Sequence, residues 1–562
     1  MTGVADFSDA LLRSMLRASP DVAAELGVDR VAGEALPRDT LPDYSDRGID
    51  ARRRVMRDAA RAFAQIAAPA AGEDEVTFRM LDYLLDEGLF GPFAGVNAHA
   101  FPENPYPLNH LNGGHPALMM LLTRDQALES SADRDAFLAR LEQLPRALDG
   151  VLDACDARLG EGIVPPHGST QNALAAMRSF AASPPAENLL MTSARARCGD
   201  GSDVLRRVER CIERTILPAY RRAIERLDAI AARAVEDVGL WATPNGEAHY
   251  AWRLRAHTTT SSTPADVHAL GLDETARTQS ALEGAFAEIG VTGRDLAEKF
   301  ERFEASCGGA FSSDRAAALA QATDLVRDLE QRAGPLFRTA PKRAVEVVPI
   351  AASFENSLHH HYTPPSADGK RLGRFSVNVA RLLGSARAPI AVICAHEAVP
   401  GHHTQLAIAQ ALTHLPALRR SVVFDAYIEG WAKYAESLLD RELTDDPTIR
   451  VARLRGELFS SVNLAVDTGL HALRWTRAQA HRFFRANTGV DAEFADAIVD
   501  RSLATPGQLC AYKIGMLTML RLRDALRASA GAKFDVRDFH DAVLRHGALP
   551  LKLLERVALS AA

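Results

Sequence analysis

The sequence predicts a mainly α-helical protein that carries one small β-sheet, and three observations lead there. Apolar residues recur three and four apart over most of the 562 residues, the spacing that gives a helix one buried stripe. Aromatic residues make up only 6% of the chain while alanine is abundant, a balance that favours helix over sheet. Two short stretches beyond residue 340 alternate or cluster β-branched residues, as strands do.

In chain order, residues 8–30, 51–68 and 76–87 carry the helical stripe. The stretch 88–116 is rich in Gly, Pro, Asn and His and reads as a long loop, a kind of segment that is often functional. Helical spacing returns over 117–162 and over 202–238, the latter ending near Gly239. Residues 246–260 hold Tyr250, Trp252, Leu254 and a threonine run, which predicts a short extended piece. A helical pattern then covers 274–333.

The texture changes near Pro341. Val345–Pro349 is largely β-branched and Phe375–Val379 alternates, so both read as strands. Between them His361–Pro365 and Asp368–Gly369 supply turn chemistry. After Pro389 the apolar run Ile390–Ala395 enters a helix, and nearly everything to the end is helical. A soft division near 340 follows. It leaves residues 1–340 as a helical N-terminal region and 341–562 as the part that carries the chemistry, the two halves being free to share one core.

Composition narrows the function. A formal net charge of −7 speaks against a dedicated nucleic-acid binder or a polybasic membrane-surface protein. The six cysteines, at 155, 198, 211, 307, 394 and 510, form no C-x-x-C pair, so neither a zinc ribbon nor a thioredoxin-like site is expected. The N-terminal residues lack a basic segment followed by an apolar run, and no 18-residue apolar stretch occurs. The expected compartment is the cytoplasm.

The densest chemistry lies in Cys394-Ala395-His396-Glu397-Ala398-Val399-Pro400-Gly401-His402-His403. Helical zinc hydrolases use H-E-x-x-H, with two histidines at i and i+4 and the glutamate as general base. Here the position four after His396 is Pro400. On a regular helix His402 would lie ~120° around and ~9 Å along from His396, and His403 ~20° and ~10.5 Å. Neither suits one cation with ~2.1 Å Zn–N bonds. Pro400 cannot continue the helix and clashes with the carbonyl of His396, and Gly401 relaxes the chain further. A π-bulge or local unwinding there would bring His396 and His402 together as metal ligands. It would leave His403 beside them or facing substrate.

The third ligand should be a carboxylate from a later helix. Glu429 in Glu429-Gly430-Trp431-Ala432-Lys433-Tyr434-Ala435-Glu436 supplies it, with Gly430 permitting close helix approach. Glu436, seven residues on along the same face, is the competing candidate. Further on, Thr505-Pro506-Gly507-Gln508-Leu509-Cys510-Ala511-Tyr512-Lys513-Ile514-Gly515 places Gln508, Tyr512 and Gly515 on one helix face. A tyrosine hydroxyl there can stabilise an oxyanion, and Lys513 or a nearby arginine can hold a substrate carboxylate.

These three motifs together resemble the bacterial family catalogued as domain of unknown function 885. The segments around His361 and around Thr258 also look like that family, so the resemblance covers most of the chain. That family is similar to gluzincin-type helical zinc peptidases, in which two histidines and a downstream glutamate bind the metal. The resemblance implies a large helical fold with a deep cleft and a small sheet at its edge. Asn378 matches the asparagine that ends the family's strand motif and joins Gln508 and Lys513 as a substrate-side candidate. The histidine run His359–His361 departs from the more aromatic pattern expected there.

The function expected is therefore a zinc-dependent hydrolase of short peptides. Zn²⁺ is held by His396, His402 and Glu429, Glu397 is the base, and Tyr512 with His403 steadies the oxyanion. The alternatives are a metal-dependent hydrolase of a non-peptide amide and a non-catalytic peptide-binding relative. No nucleic acid or membrane partner is expected.

Overall fold

A computed structural model describes residues 3–87, 103–198, 203–234, 239–352, 355, 359–367 and 369–560. Most of the residues expected to form the long loop 88–116 lie outside these, as do Asp368 and the end of the run 202–238.

The fold is mainly helical. The helices named below, in chain order, are α1 (Val4–Ala18), α2 (Asp46–Phe63), α3 (Ser131–Gly160), α4 (Gly246–Thr258), α5 (Pro264–Glu288), α6 (Arg315–Ala333), α7 (Arg387–Glu397), α8 (His402–Ala411), α9 (Asp425–Ser437), α10 (Pro447–His471), α11 (Ala492–Ala504) and α12 (Cys510–Ala530). Local chemistry sets many of their starts. Ser130 with Asp133 and Thr263 with Asp266 form reciprocal capping boxes on α3 and α5, each satisfying backbone N–H groups that no helical carbonyl reaches. The first turns of α5 and α10 carry Pro264 and Pro447, which fit there because those N–H groups would be unpaired anyway.

Strands are few. A two-residue ladder pairs β1 (Arg30–Val31) with β2 (Glu34–Ala35). The larger sheet has β3 (Glu346–Pro349), β4 (His361–Thr363) and β5 (Arg374–Val377) in the order β3-β5-β4. β3 runs parallel to β5 with Val347 opposite Phe375, and β4 runs antiparallel to it with Tyr362 opposite Phe375. Both expected strands are present. His361 begins a third, which its polar sequence concealed.

Residues 246–258 overturn the expectation of an extended piece, for they form α4. Tyr250, Trp252 and Leu254 are all fully buried, and Arg253 nearly so. The buried positions of α4 also include His249, Arg253, His257 and Thr258, so burial and hydropathy do not follow one stripe and the sequence carries no amphipathic period. The run 274–333 is three helices, not one. It breaks after α5 and again before α6, with Leu296–Ser306 between.

One hydrophobic cluster extends from Val4 to Ala558 and takes residues from both sides of position 340. A second, between Leu108 and Ala231, is built from the N-terminal helices alone. All six cysteines are free. Among the described residues no helix is long and apolar enough to cross a membrane.

Candidate metal centre

β5 delivers the chain to Asn378, which caps a short helix before α7 begins. His396 and Glu397 are the last two residues of α7, and His402 and His403 the first two of α8. The helix therefore stops and restarts at Pro400-Gly401, a full break of the unwinding kind and not a π-bulge. Glycine is required there. A Cβ on Gly401 would lie 1.9 Å from the His396 carbonyl oxygen and 2.4 Å from that of Ala395. Trp431 of α9, fully buried, holds the break by donating from Nε1 to the Pro400 carbonyl at 3.0 Å. The two imidazoles end 4.8 Å apart between ring centres, nearly perpendicular.

Glu429 reaches them from α9. Its Oε2 lies 3.4 Å from His396 Nε2 and 3.6 Å from His402 Nε2. One ligating atom from each of the three residues falls within 4.8 Å of the others. Two ligands bound ~2.0–2.1 Å from a tetrahedral cation stand ~3.3 Å apart, so the two measured separations fit a shared ion. They do not fit a charge-assisted hydrogen bond, which closes to ~2.7–2.9 Å. Glu429 Oε2 is sealed from solvent with no hydrogen-bond partner, as is His402 Nδ1. A buried carboxylate oxygen left so is costly, and a cation between the three groups removes the cost.

The helix packing that aims Glu429 depends on two glycines. A Cβ on Gly430 would meet the Gly515 backbone at 2.5 Å, and one on Gly515 would meet the Ala426 carbonyl at 2.0 Å. α9 and α12 thus touch backbone to backbone beside the centre. That contact sets Tyr512 near His396, the rings 6.5 Å apart and stacked at 16°.

Glu436 is not a third ligand by position. Its Oε1 lies 2.8 Å from His396 Nδ1, and Lys433 Nζ donates to its Oε2 at 2.5 Å. The carboxylate fixes the Nδ1–H tautomer and so directs the Nε2 lone pair toward Glu429, the usual carboxylate–histidine–metal relay. Glu436→Gln is expected to weaken zinc binding by about 10–100-fold in competition with a chromophoric chelator. Unchanged affinity would show that the carboxylate does not tune His396.

The electrostatics favour a cation. Burial pushes His402 down to about 4, against the pull of Glu429, which leaves its ring neutral and able to coordinate. Burial also opposes charge on Glu429, but the nearby His396, together with His402 and Arg501, outweighs it and holds the carboxyl at about 2. For His396 burial disfavours the cation, yet Glu429, Glu436 and Glu397 push it up to about 10. Without a metal, that imidazole would take up a proton in the metal's place. Burial raises Glu397 to about 7, with His396 opposing and Glu429 reinforcing, and the Tyr362 backbone supplies a hydrogen bond to its carboxylate.

Tyr512 meets a residue that sequence reasoning left unnamed. Arg501 Nη2 donates to Tyr512 Oη at 3.1 Å and to Gln508 Oε1 at 3.0 Å. Gln508 also hydrogen-bonds Tyr512. With its oxygen accepting from Arg501, the hydroxyl keeps its own proton to donate. Burial, then Glu429, raises the Tyr512 pKa, so the proton stays. Arg501 ends α11, an element away from the motif it serves, and no local spacing marks it.

Three candidates are placed elsewhere. His403 donates or accepts at both ring nitrogens, with Arg343 O at 3.0 Å from Nε2 and Tyr362 Oη at 3.0 Å from Nδ1. It ties α8 to the sheet and has no nitrogen left for substrate. Lys513 is fully buried and paired with Glu457 at 2.7 Å and Glu274 at 2.9 Å. Its position after Tyr512 turns it ~100° around α12, where these two carboxylates claim it. Asn378, also fully buried, donates to the Glu355 carbonyl at 2.6 Å and accepts from the Arg381 N–H at 3.2 Å, so its amide is spent on capping.

Two solved structures share the fold. One is described as "the putative lipoprotein from Colwellia psychrerythraea" (TM-score 0.93, 24% identity, covering 100% of this chain and 99% of that one). The other is described as "a putative lipoprotein of unknown function from Shewanella oneidensis" (TM-score 0.72, 16% identity, covering 100% of both chains). No curated protein matches the chain. Residues 20–557 match the family described as bacterial protein of unknown function DUF885, and the chain belongs to that family.

Proposed function

We propose that this protein is a zinc-dependent hydrolase that cleaves amide bonds of short peptides. The observation that carries the reading is the meeting of His396 Nε2, His402 Nε2 and Glu429 Oε2, with Glu397 next to the first histidine. Two imidazoles and one carboxylate form a donor set suited to zinc, and the set is similar to that of gluzincin peptidases. Zinc held there would polarise the scissile carbonyl and make water acidic enough to attack near neutral pH.

The chain's own residues do the rest. Glu397, whose carboxyl burial raises to about 7, in its ionised form takes a proton from the attacking water and returns it to the leaving amine. Tyr512 donates its free O–H to the developing oxyanion. Glu436, neutralised by Lys433, keeps the His396 ring in register.

The test is metal analysis of protein purified without added zinc, followed by digestion of a mixed di- to tetrapeptide pool. About one zinc per chain is expected, set by a single three-ligand site, with turnover that a chelator abolishes and zinc restores. Zinc-loaded protein that cleaves no peptide overturns the reading. Cleavage confined to acylated amino acids would move it to small-molecule amide hydrolysis.

A further inference from the structure

A cavity of about 660 Å³ lies between the N-terminal helices and the metal-bearing half, and Arg501 and Gln508 form part of its wall together with Tyr44, Arg52 and Arg253. The metal ligands do not line it. They keep 11–15% side-chain exposure, and the Arg501–Gln508–Tyr512 group stands between the two. The 6.5 Å step from His396 to Tyr512 and the 5.9 Å step from that ring to the guanidinium carbon, laid end to end, keep Arg501 within about 12 Å of the imidazole, the reach of four extended residues or fewer.

Arg501 makes no direct ion pair among the described residues; Glu429 and Asp425 act on it only through space. Both hydrogen-bond partners of its Nη2 are neutral. Nε and Nη1 have no protein partner, and no carboxylate comes within ion-pair distance, among the described residues. The two nearest acids are already engaged, Glu429 with the histidines and Asp425 with His257. Arg253, on the same wall and buried, likewise binds only neutral groups, namely the Pro506 and Glu103 carbonyls and His257. Two guanidinium groups line one cavity with no carboxylate bonded directly to either, although Asp21, Glu103, Glu161 and Asp425 share its wall, and a guanidinium whose fork is not taken by a carboxylate suits an anionic ligand.

We propose that Arg501 anchors the α-carboxylate of the substrate, so that cleavage occurs within four residues of a free carboxyl end. This rests on the hydrolase reading and adds the substrate class to it. The carboxylate can belong to a short peptide or to an N-acylated amino acid, since both present the same group.

The experiment uses zinc-loaded Glu397→Gln protein, in which binding is read without turnover. Calorimetry compares a tripeptide as free acid with its C-terminal amide, and an N-acetyl amino acid with its amide. The free acid is expected to bind about 10- to 100-fold tighter, the range of one hydrogen-bonded charge pair. Arg501→Gln should bring the acid-to-amide ratio close to one, and Arg501→Lys should restore part of it. A preference confined to the tripeptide pair identifies peptides as the source, and one confined to the acetylated pair identifies acyl amino acids. Equal binding of acid and amide, no binding of either, or a preference that survives Arg501→Gln overturns the proposal. A free-acid preference in a chain that turns over nothing would sink the hydrolase reading and leave the anchor standing.

Discussion

Glu397→Gln is expected to lower kcat/KM on any cleaved peptide by about 10²–10⁴-fold, the usual contribution of a general base, while zinc stays bound. Glu397 is not among the three groups that converge as candidate ligands, so its loss removes none of them. The amide is nearly the same size and can still accept the Tyr362 backbone hydrogen bond, so packing at the end of α7 should hold. What it cannot do is accept a proton. The sign of the shift supports the assignment. Burial and Glu429 raise the carboxyl above its ordinary range, which makes its ionised form a stronger base. Steady-state kinetics with parallel metal analysis checks this. Full activity with full zinc would remove Glu397 from the chemistry.

Gly401→Ala is expected to reduce zinc affinity by more than 10-fold, beyond the low end of what loss of a supporting contact costs. The added Cβ would meet two backbone carbonyls, at 1.9 Å and 2.4 Å. Neither is the tip of a flexible side chain that can swing aside, so the first turn of α8 must move away from the end of α7. That shift separates His402 from His396, whose rings now stand 4.8 Å apart. It also strains the Trp431 hydrogen bond to Pro400. Overpacking of this kind costs about 1–3 kcal/mol, so a lowered melting temperature should accompany the loss of metal. Wild-type zinc affinity in this variant would mean that the break at Pro400 does not bring the ligands together.

Much of the fold was legible because amphipathic helices announce themselves by period. α1, α2 and α3 each leave one polar face, and their sequences say so. α4 did not, because polar His249, Arg253 and His257 are buried beside its apolar residues, which follow no stripe. β4 was hidden for the converse reason. Its residues His361 and Tyr362 are only half-buried, and it is a strand because β5 offers it backbone partners.

For the centre, residue types and chain breaks were enough to name His396, His402, Glu429 and Glu397 and to foresee the interruption at Pro400-Gly401, because proline geometry and helix pitch are local constraints. Gly430 could be read as a close-approach position, though its partner Gly515 could not. Tertiary structure alone decided how the charged groups were shared out. It gave Glu436 to His396 Nδ1, Lys513 to Glu457 and Glu274, His403 to Arg343 and Tyr362, and Arg501 to Tyr512. The reason is that a buried polar group must find its partner across helices that are distant in sequence, and spacing along one helix says which way a side chain points but not what will be waiting there.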